Sequence, residues 1–292
     1  MSSLFSGVWV PLVTPFQNGA VDHAALRRLV GHCTAQGVHG LAPLGTTGEP
    51  AMLDDNEQLA VLDTVLEAAQ GLPVMVGLAG VHPSDLQRRL QIFATRPIAG
   101  VMVPAPAYVR PTQQGIADHF TRLADASSVP LVLYDIPYRT GVEIQLDTLL
   151  ALAAHPNIRA IKDCGGSPDK TQALIADGRL AVLTGEDAAV FTTLCMGGHG
   201  AIAASAQVRP ELFVALYQAV QEQRLQDARA LFHALAPLVR TLFDEPNPSG
   251  VKAALHLQGW LDNELRPPMT PVSDATHWRL AKHLETLASA PS

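Results

Sequence analysis

The sequence predicts an α/β protein: a (β/α)8 TIM barrel of parallel strands with a C-terminal three-helix appendage. Three observations lead there. Short apolar runs alternate with longer amphipathic segments along most of the chain, the pattern of strands joined by crossover helices and hence of parallel pairing. Eight such units follow one another, the number that closes a barrel. The rival architecture, an open doubly wound sheet, would carry G-x-G-x-x-G after its first strand. Leu12-Val13-Thr14-Pro15 offers nothing of that kind.

The first strand is residues 8–13, Val8-Trp9-Val10-Pro11-Leu12-Val13, and Asp22 then supplies N-cap chemistry for an Ala- and Leu-rich helix over 22–36. Residues 40–44 form the second strand, followed by a helix over 54–70. The third strand, 73–78, precedes a helix over 84–95 whose start is marked by Ser84-Asp85 after Pro83. The fourth strand, 100–103, and the fifth, 131–134, are followed by helices over 112–126 and 145–154. The sixth, 158–162, is entered through Pro156-Asn157, is rich in β-branched residues and ends in Lys162. A helix over 168–176 leads to the seventh strand, 181–184, then a helix over 187–196 to the eighth, 201–204, and a helix over 208–221. Helical patterns continue over 223–243, 249–258 and 274–288, separated by breaks containing Pro and Asn. Three helices are too few for an independent domain. The expected organisation is a catalytic barrel over 1–222 with a helical region over 223–292 packed on it.

Composition agrees with one large apolar core. Of 292 residues, 48% are hydrophobic and only 16% charged, which argues against a disordered chain. The net charge of −7 comes without a basic run, so nucleic acid is not an expected partner. Cys33, Cys164 and Cys195 are odd in number and form no C-x-x-C pair, which fits reduced thiols better than disulfides or a zinc site. The eleven histidines show no H-E-x-x-H, and no metal is expected. Met1-Ser2-Ser3-Leu4-Phe5 lacks the positive region of a signal peptide, and no apolar stretch reaches the ~18 residues that span a bilayer. The expectation is a cytoplasmic protein with no membrane partner.

In barrels of this type the chemistry sits at the C-terminal ends of the strands. Lys162 is one of only four lysines, with Lys170, Lys252 and Lys282. Burial at a strand end disfavours an ammonium and leaves free amine able to attack a carbonyl and form a Schiff base. The plainer alternative is an ion-paired lysine. Tyr134 ends the neighbouring strand, where a phenol beside an amine can move the protons that such chemistry requires, or simply pack. Gly45-Thr46-Thr47-Gly48-Glu49 follows the second strand and offers two hydroxyls and backbone N–H groups to a small anion, or an ordinary turn. Arg139, beyond Pro137 in the loop after the fifth strand, can grip a carboxylate or serve a surface ion pair. Strand seven ends at Gly185, and Ile202 lies in strand eight. Cys164 reads as a small filler, and Gly197-Gly198-His199-Gly200 as close packing into strand eight.

Together these motifs resemble the pyruvate-dependent class I aldolase family that includes dihydrodipicolinate synthase and N-acetylneuraminate lyase. The resemblance runs from Pro11-Leu12-Val13-Thr14-Pro15-Phe16 through the segments above to Glu245-Pro246-Asn247-Pro248. It implies that Lys162 forms the Schiff base and that Tyr134 donates and accepts protons. It gives Thr47, Ile202 and Gly185 to pyruvate binding. Thr46 would pass protons between Tyr134 and a second tyrosine, matched by Tyr108, which in the family crosses from a neighbouring subunit. A homodimer or homotetramer follows from that crossing. Arg139-Thr140-Gly141 looks like the synthase pattern, in which arginine meets the carboxylate of aspartate 4-semialdehyde. The implied reaction joins pyruvate to that aldehyde, gives 4-hydroxy-tetrahydrodipicolinate for lysine and diaminopimelate biosynthesis, and needs no metal or organic cofactor.

Several positions depart from the common synthase pattern. Pro50 and Tyr138 each replace a usual serine, Asp163-Cys164-Gly165 a usual Glu-Ala-Thr, and Pro248-Ser249-Gly250 a usual Pro-Ile-Pro. Ala107 replaces a tyrosine of the lysine feedback site, near whose other positions Asp55, Gln58 and Val81 fall, so that site is expected to be absent. These changes leave the Schiff-base residues in place and bear on the second substrate. A 2-keto-3-deoxy sugar acid aldolase or dehydratase is the alternative within the family, and a non-catalytic keto-acid-binding paralogue the alternative outside it.

Overall fold

A computed structural model describes residues 4–288. Residues 1–3 and 289–292 lie outside the described residues, and with them most of the five-residue start and the outer ends of the two expected regions. The strands are β1 (Gly7–Val10), a short antiparallel hairpin of β2 (Phe16–Gln17) and β3 (Ala20–Val21), β4 (Gly40–Leu41), β5 (Met75–Gly77), β6 (Gly100–Pro104), β7 (Leu131–Asp135), β8 (Ile158–Asp163), β9 (Ala181–Thr184) and β10 (Gly200–Ile202). Eight of them pair in parallel in the order β4-β1-β10-β9-β8-β7-β6-β5, and a parallel bridge between Leu41 and Val74 joins the two edges. The sheet therefore closes into the expected (β/α)8 barrel.

Helices α1 (His23–Ala35), α2 (Asp55–Ala68), α3 (Pro83–Ala94), α4 (Gln113–Ala126), α5 (Pro137–Thr140), α6 (Leu146–Leu152), α7 (Pro168–Asp177), α8 (Val190–Cys195) and α9 (Pro210–Gln221) lie between and after the strands. Local chemistry starts several of them. Asp22 accepts from Ala25 N at 2.9 Å, Asp54 and Glu57 form a capping box on α2, and Thr112 caps α4. Alternation along the strands then makes two cores. Leu131 and Leu133 of β7 join the large shell between strands and helices, whereas Val132 and Tyr134 fill the barrel with Trp9, Met75, Met102, Ala160, Leu183 and Ile202. Trp9 is fully buried there, and Gly40 admits it, because a Cβ at 40 would stand 2.4 Å from the indole.

Strand β9 has the expected bounds, and the other strand ends differ from expectation by up to three residues. β1 and β4 stop early: proline at 11 has no N–H to give to a ladder, and after Pro43 the chain turns through a left-handed Leu44 (φ 58°). β7 and β8 each run one residue further, to Asp135 and Asp163, so Tyr134 and Lys162 are penultimate rather than last. The seventh and eighth crossovers begin as single 3-10 turns, Asp187–Ala189 and Ala204–Gln207, ahead of α8 and α9. The hairpin and the four-residue α5 were not expected. The hairpin turns through Asn18 (φ 53°) and Gly19 (φ 80°), an Asn-Gly pair suited to two successive left-handed residues.

Beyond α9 come α10 (Leu225–Leu242), α11 (Ser249–Leu257) and α12 (Asp274–Ala288), which pack on one another and on α9. A Cβ at Gly250 would meet the Leu242 carbonyl at 2.2 Å, so glycine there lets α11 lie against the end of α10. Fully buried Lys252 on α11 reaches across to the loop after β4, where its ammonium meets the Glu49 carboxylate at 2.5 Å. Burial pulls the Lys252 amine down from its usual range, and the Glu49 charge opposes that pull.

Candidate active site

The C-terminal ends of β7, β8, β9 and β10 face a hollow of about 960 Å³ whose lining includes Thr46, Thr47, Tyr134, Lys162, Gly185 and Ile202. Lys162 is 5% exposed and its Nζ lies 4.4 Å from the centre of the Tyr134 ring. The two residues are directly paired in the β7–β8 register, so adjacent strands hold amine and phenol side by side. Gly185 makes room for them. A Cβ there would fall 2.4 Å from Lys162 Cε and 2.3 Å from Cys164 Sγ, so no other residue leaves the lysine its path into the hollow.

Burial holds the Tyr134 phenol protonated well above its ordinary range, and its hydrogen bond with the Thr46 hydroxyl opposes that shift. A phenol so placed is chemically able to donate a proton, and the Thr46 hydroxyl is its hydrogen-bond neighbour. Burial likewise pushes the Cys164 thiol up to about 12, the opposite of an activated nucleophile. Thr46 to Gly48 form one 3-10 turn, closed by Gly48 N donating to Gly45 O at 2.9 Å and pinned by Thr14 Oγ1 donating to Gly48 O at 2.7 Å. Thr47 is buried and its hydroxyl accepts from Asn247 Nδ2 at 3.0 Å. Arg139 stands on exposed α5, where its Nε donates to the Tyr138 hydroxyl at 3.1 Å and its terminal nitrogen to Asn247 O at 3.3 Å.

The fold thus gathers Lys162, Tyr134, Thr46, Thr47, Ile202, Gly185 and Arg139 around one hollow. Tyr108 is not among them. It is 94% exposed, on the loop after β6, in a left-handed conformation (φ 72°), and its N–H donates to Thr140 O at 3.2 Å. A second hollow of about 230 Å³, mainly apolar, opens on the far side of Tyr134 and Thr46 between Leu44, Met52 and Met102.

Three lining residues were not foreseen. Asn247 ties Thr47 to Arg139, although 200 residues separate it from Thr47, and nothing local in a Pro-flanked break signals that contact. Asp187 is buried and accepts from Ser205 N at 2.6 Å and Ala204 N at 3.3 Å, fastening β9 to β10. Glu186 presents a carboxylate to the hollow, and burial beside Asp187 raises its pKa. Among the described residues no group of three or more His, Cys, Asp or Glu side chains is arranged to hold a metal ion.

The model of the dihydrodipicolinate synthetase family matches residues 4–287. The chain belongs to that family. The match spans nearly its whole length, as the order of the motifs implied. A curated relative from Clostridium acetobutylicum, 4-hydroxy-tetrahydrodipicolinate synthase 2, is 36% identical over 282 residues, covering 95% of this chain and 99% of its own. The solved dihydrodipicolinate synthase from Thermotoga maritima superposes with a TM-score of 0.95 at 32% identity, over 98% of this chain and 99% of the other. A structure described as a monomeric dihydrodipicolinate synthase variant gives a TM-score of 0.95 at 32% identity, over 98% of both chains.

Proposed function

We propose that this family member condenses pyruvate with L-aspartate 4-semialdehyde to give 4-hydroxy-tetrahydrodipicolinate, through a Schiff base on Lys162. The observation that carries the reading is the buried Lys162–Tyr134 pair, with the amine 4.4 Å from the ring centre, at the mouth of the barrel. The Lys162 amine attacks C2 of pyruvate while Thr47 and its loop hold the carboxylate and Ile202 packs on the substrate. Tyr134 assists loss of water and removal of a methyl proton, and the resulting enamine attacks the aldehyde, whose carboxylate meets Arg139. Attack by the substrate's own amine closes the ring and frees Lys162. The iminium is itself the electron sink, so this route uses no metal or organic cofactor.

The outward Tyr108 and the apolar hollow beside Thr46 and Tyr134 support a homodimer or homotetramer in which one subunit completes the proton path of the next. The Lys252–Glu49 tie supports reading the C-terminal helices as a support packed on a catalytic barrel, divided near residue 222. The three free cysteines support a reducing, cytoplasmic setting, and among the described residues no helix is long and apolar enough to cross a membrane. The test is an assay of pyruvate with aspartate semialdehyde beside a panel of other aldehydes and 2-keto-3-deoxy sugar acids. Aspartate semialdehyde is expected to give the highest kcat/KM. Cleavage of a keto-deoxy sugar acid with no turnover of aspartate semialdehyde would move the chain to the aldolase branch.

A further inference from the structure

Tyr134 and Lys162 are opposite one another in the β7–β8 register, and one residue further on two carboxylates, Asp135 and Asp163, are opposite one another in the same way. Side chains alternate along a strand. Where the first pair points into the barrel, the second points out toward the helices, and both carboxylates are buried there. Two consecutive residues in the first half of α7 reach them. Lys170 Nζ donates to Asp135 Oδ2 at 2.7 Å, and Thr171 Oγ1 donates to Asp163 Oδ2 at 2.5 Å. A single helical turn therefore fastens both strands at the level of the amine and the phenol.

The tie extends to the rim. The same ammonium donates to Glu143 Oε1 at 2.7 Å and to Ile144 O at 3.3 Å, and Asp135 Oδ1 accepts from Ile144 N at 3.1 Å. Residues 143 and 144 end the segment that carries Arg139, so its anchorage and that of β7 share one cation. Gly165 N donates to Asp163 Oδ1 at 2.9 Å. A Cβ at Gly165 would lie 2.7 Å from Lys170 Nζ and 2.8 Å from Asp135 Oδ2, in the path of the clamp. Asp163 and Gly165, two of the residues by which this chain departs from the common Glu-Ala-Thr, thus have a joint explanation. The aspartate meets Thr171, and the glycine leaves space for Lys170.

We propose that Lys170 and Thr171 are positioning residues that set the spacing of Tyr134 and Lys162 by holding Asp135 and Asp163 from behind. The proposal rests on the assignment of Tyr134 and Lys162 as the reacting pair. Neither Lys170 nor Thr171 lines the substrate hollow, so neither touches substrate.

Removing Lys170 alone would leave a buried carboxylate without its cation, which can cost the fold. The informative variants are therefore Thr171→Val, close in shape, and the neutral double variant Asp135→Asn with Lys170→Met. Each is measured with pyruvate alone, as exchange of the methyl protons for solvent deuterium, and then in full turnover, at a temperature well below its own Tm. Misplacing reacting groups by a fraction of an ångström to an ångström predicts that exchange and kcat fall together by roughly 10–100-fold, with the KM for pyruvate unchanged. Lowered Tm with exchange and kcat at the parent's values would overturn the proposal and leave the clamp a stability feature. A raised KM with unchanged kcat would overturn it too. A parent enzyme that exchanges no pyruvate protons would instead bring down the Schiff-base reading itself, whatever the variants do.

Discussion

The β7–β8 mouth and the loop after β6 face the same chemistry in opposite ways. At the mouth, Tyr134 and Lys162 are 4% and 5% exposed and paired in register, with Gly185 clearing space for the lysine. On the loop, Tyr108 is 94% exposed, and its backbone N–H donates to Thr140 O. The contrast teaches which part of the reaction a single chain holds complete. On the proposed mechanism, Schiff-base formation and the first proton transfer would need one barrel alone, whereas the path by which the proton leaves would be finished by a tyrosine from outside it.

The comparison breaks most easily at the mouth. Tyr134→Phe keeps the ring and loses the phenol, so the protein should fold as before while turnover drops by ~10²–10⁴ in a steady-state assay. Turnover within a few-fold of the parent would make Tyr134 a packing residue. A smaller loss is expected from Arg139→Ala, which would remove the proposed charged contact to the second substrate. Loss of such a contact costs about 2–5 kcal/mol, some 30-fold or more in kcat/KM for aspartate semialdehyde. Exchange of pyruvate protons should survive in that variant, and its loss would place Arg139 in the first half-reaction.

The rim supplies the gentler tests. Tyr108→Ala should lower kcat by roughly 10-fold, the weight of one hydrogen bond in a relay. Mixing this variant with Tyr134→Phe and allowing subunits to exchange should then recover activity, because one hybrid site has both tyrosines. Failure to recover would mean that Tyr108 acts within its own chain or not at all. The smallest effect concerns His119 on α4, beside a hollow formed with Pro106, Val109 and Pro111 of the same loop. Burial lowers its pKa from 6.5 to about 4. Its neutral form is favoured by folding, so its contribution to stability is full above pH 6.5 and is lost as the pH falls toward 4. Thermal melts of His119→Gln should show a shallower loss of Tm across that window than the parent's. An identical slope would mean that partner contacts or local opening already relieve the burial.

How much of this could be read in the residues follows the range of the forces involved. The barrel was legible because each strand announces itself within five or six residues and each crossover helix by its periodicity. The strand ends were not, because Asp135 and Asp163 look like loop residues until Lys170 and Thr171 bury them from another element. Lys162, Tyr134 and the Thr46-Thr47 turn were legible as candidate groups at strand ends, and the structure gathers them at one hollow. Asn247 stood in the sequence only as part of the Glu245-Pro246-Asn247-Pro248 motif, and its bridge between two loops far apart in the chain was not legible. The Asn18-Gly19 turn, by contrast, is a local signal, two residues suited to a left-handed backbone.

The central claim is that Lys162 carries the covalent intermediate. The other three lysines serve differently. Lys170 and Lys252 are buried against carboxylates, and Lys282 is an exposed residue of α12. Incubation with pyruvate and borohydride, followed by peptide mapping, should show one reduced pyruvate adduct per chain, on Lys162. No adduct, or an adduct on Lys170 or Lys252, would contradict the account at its root.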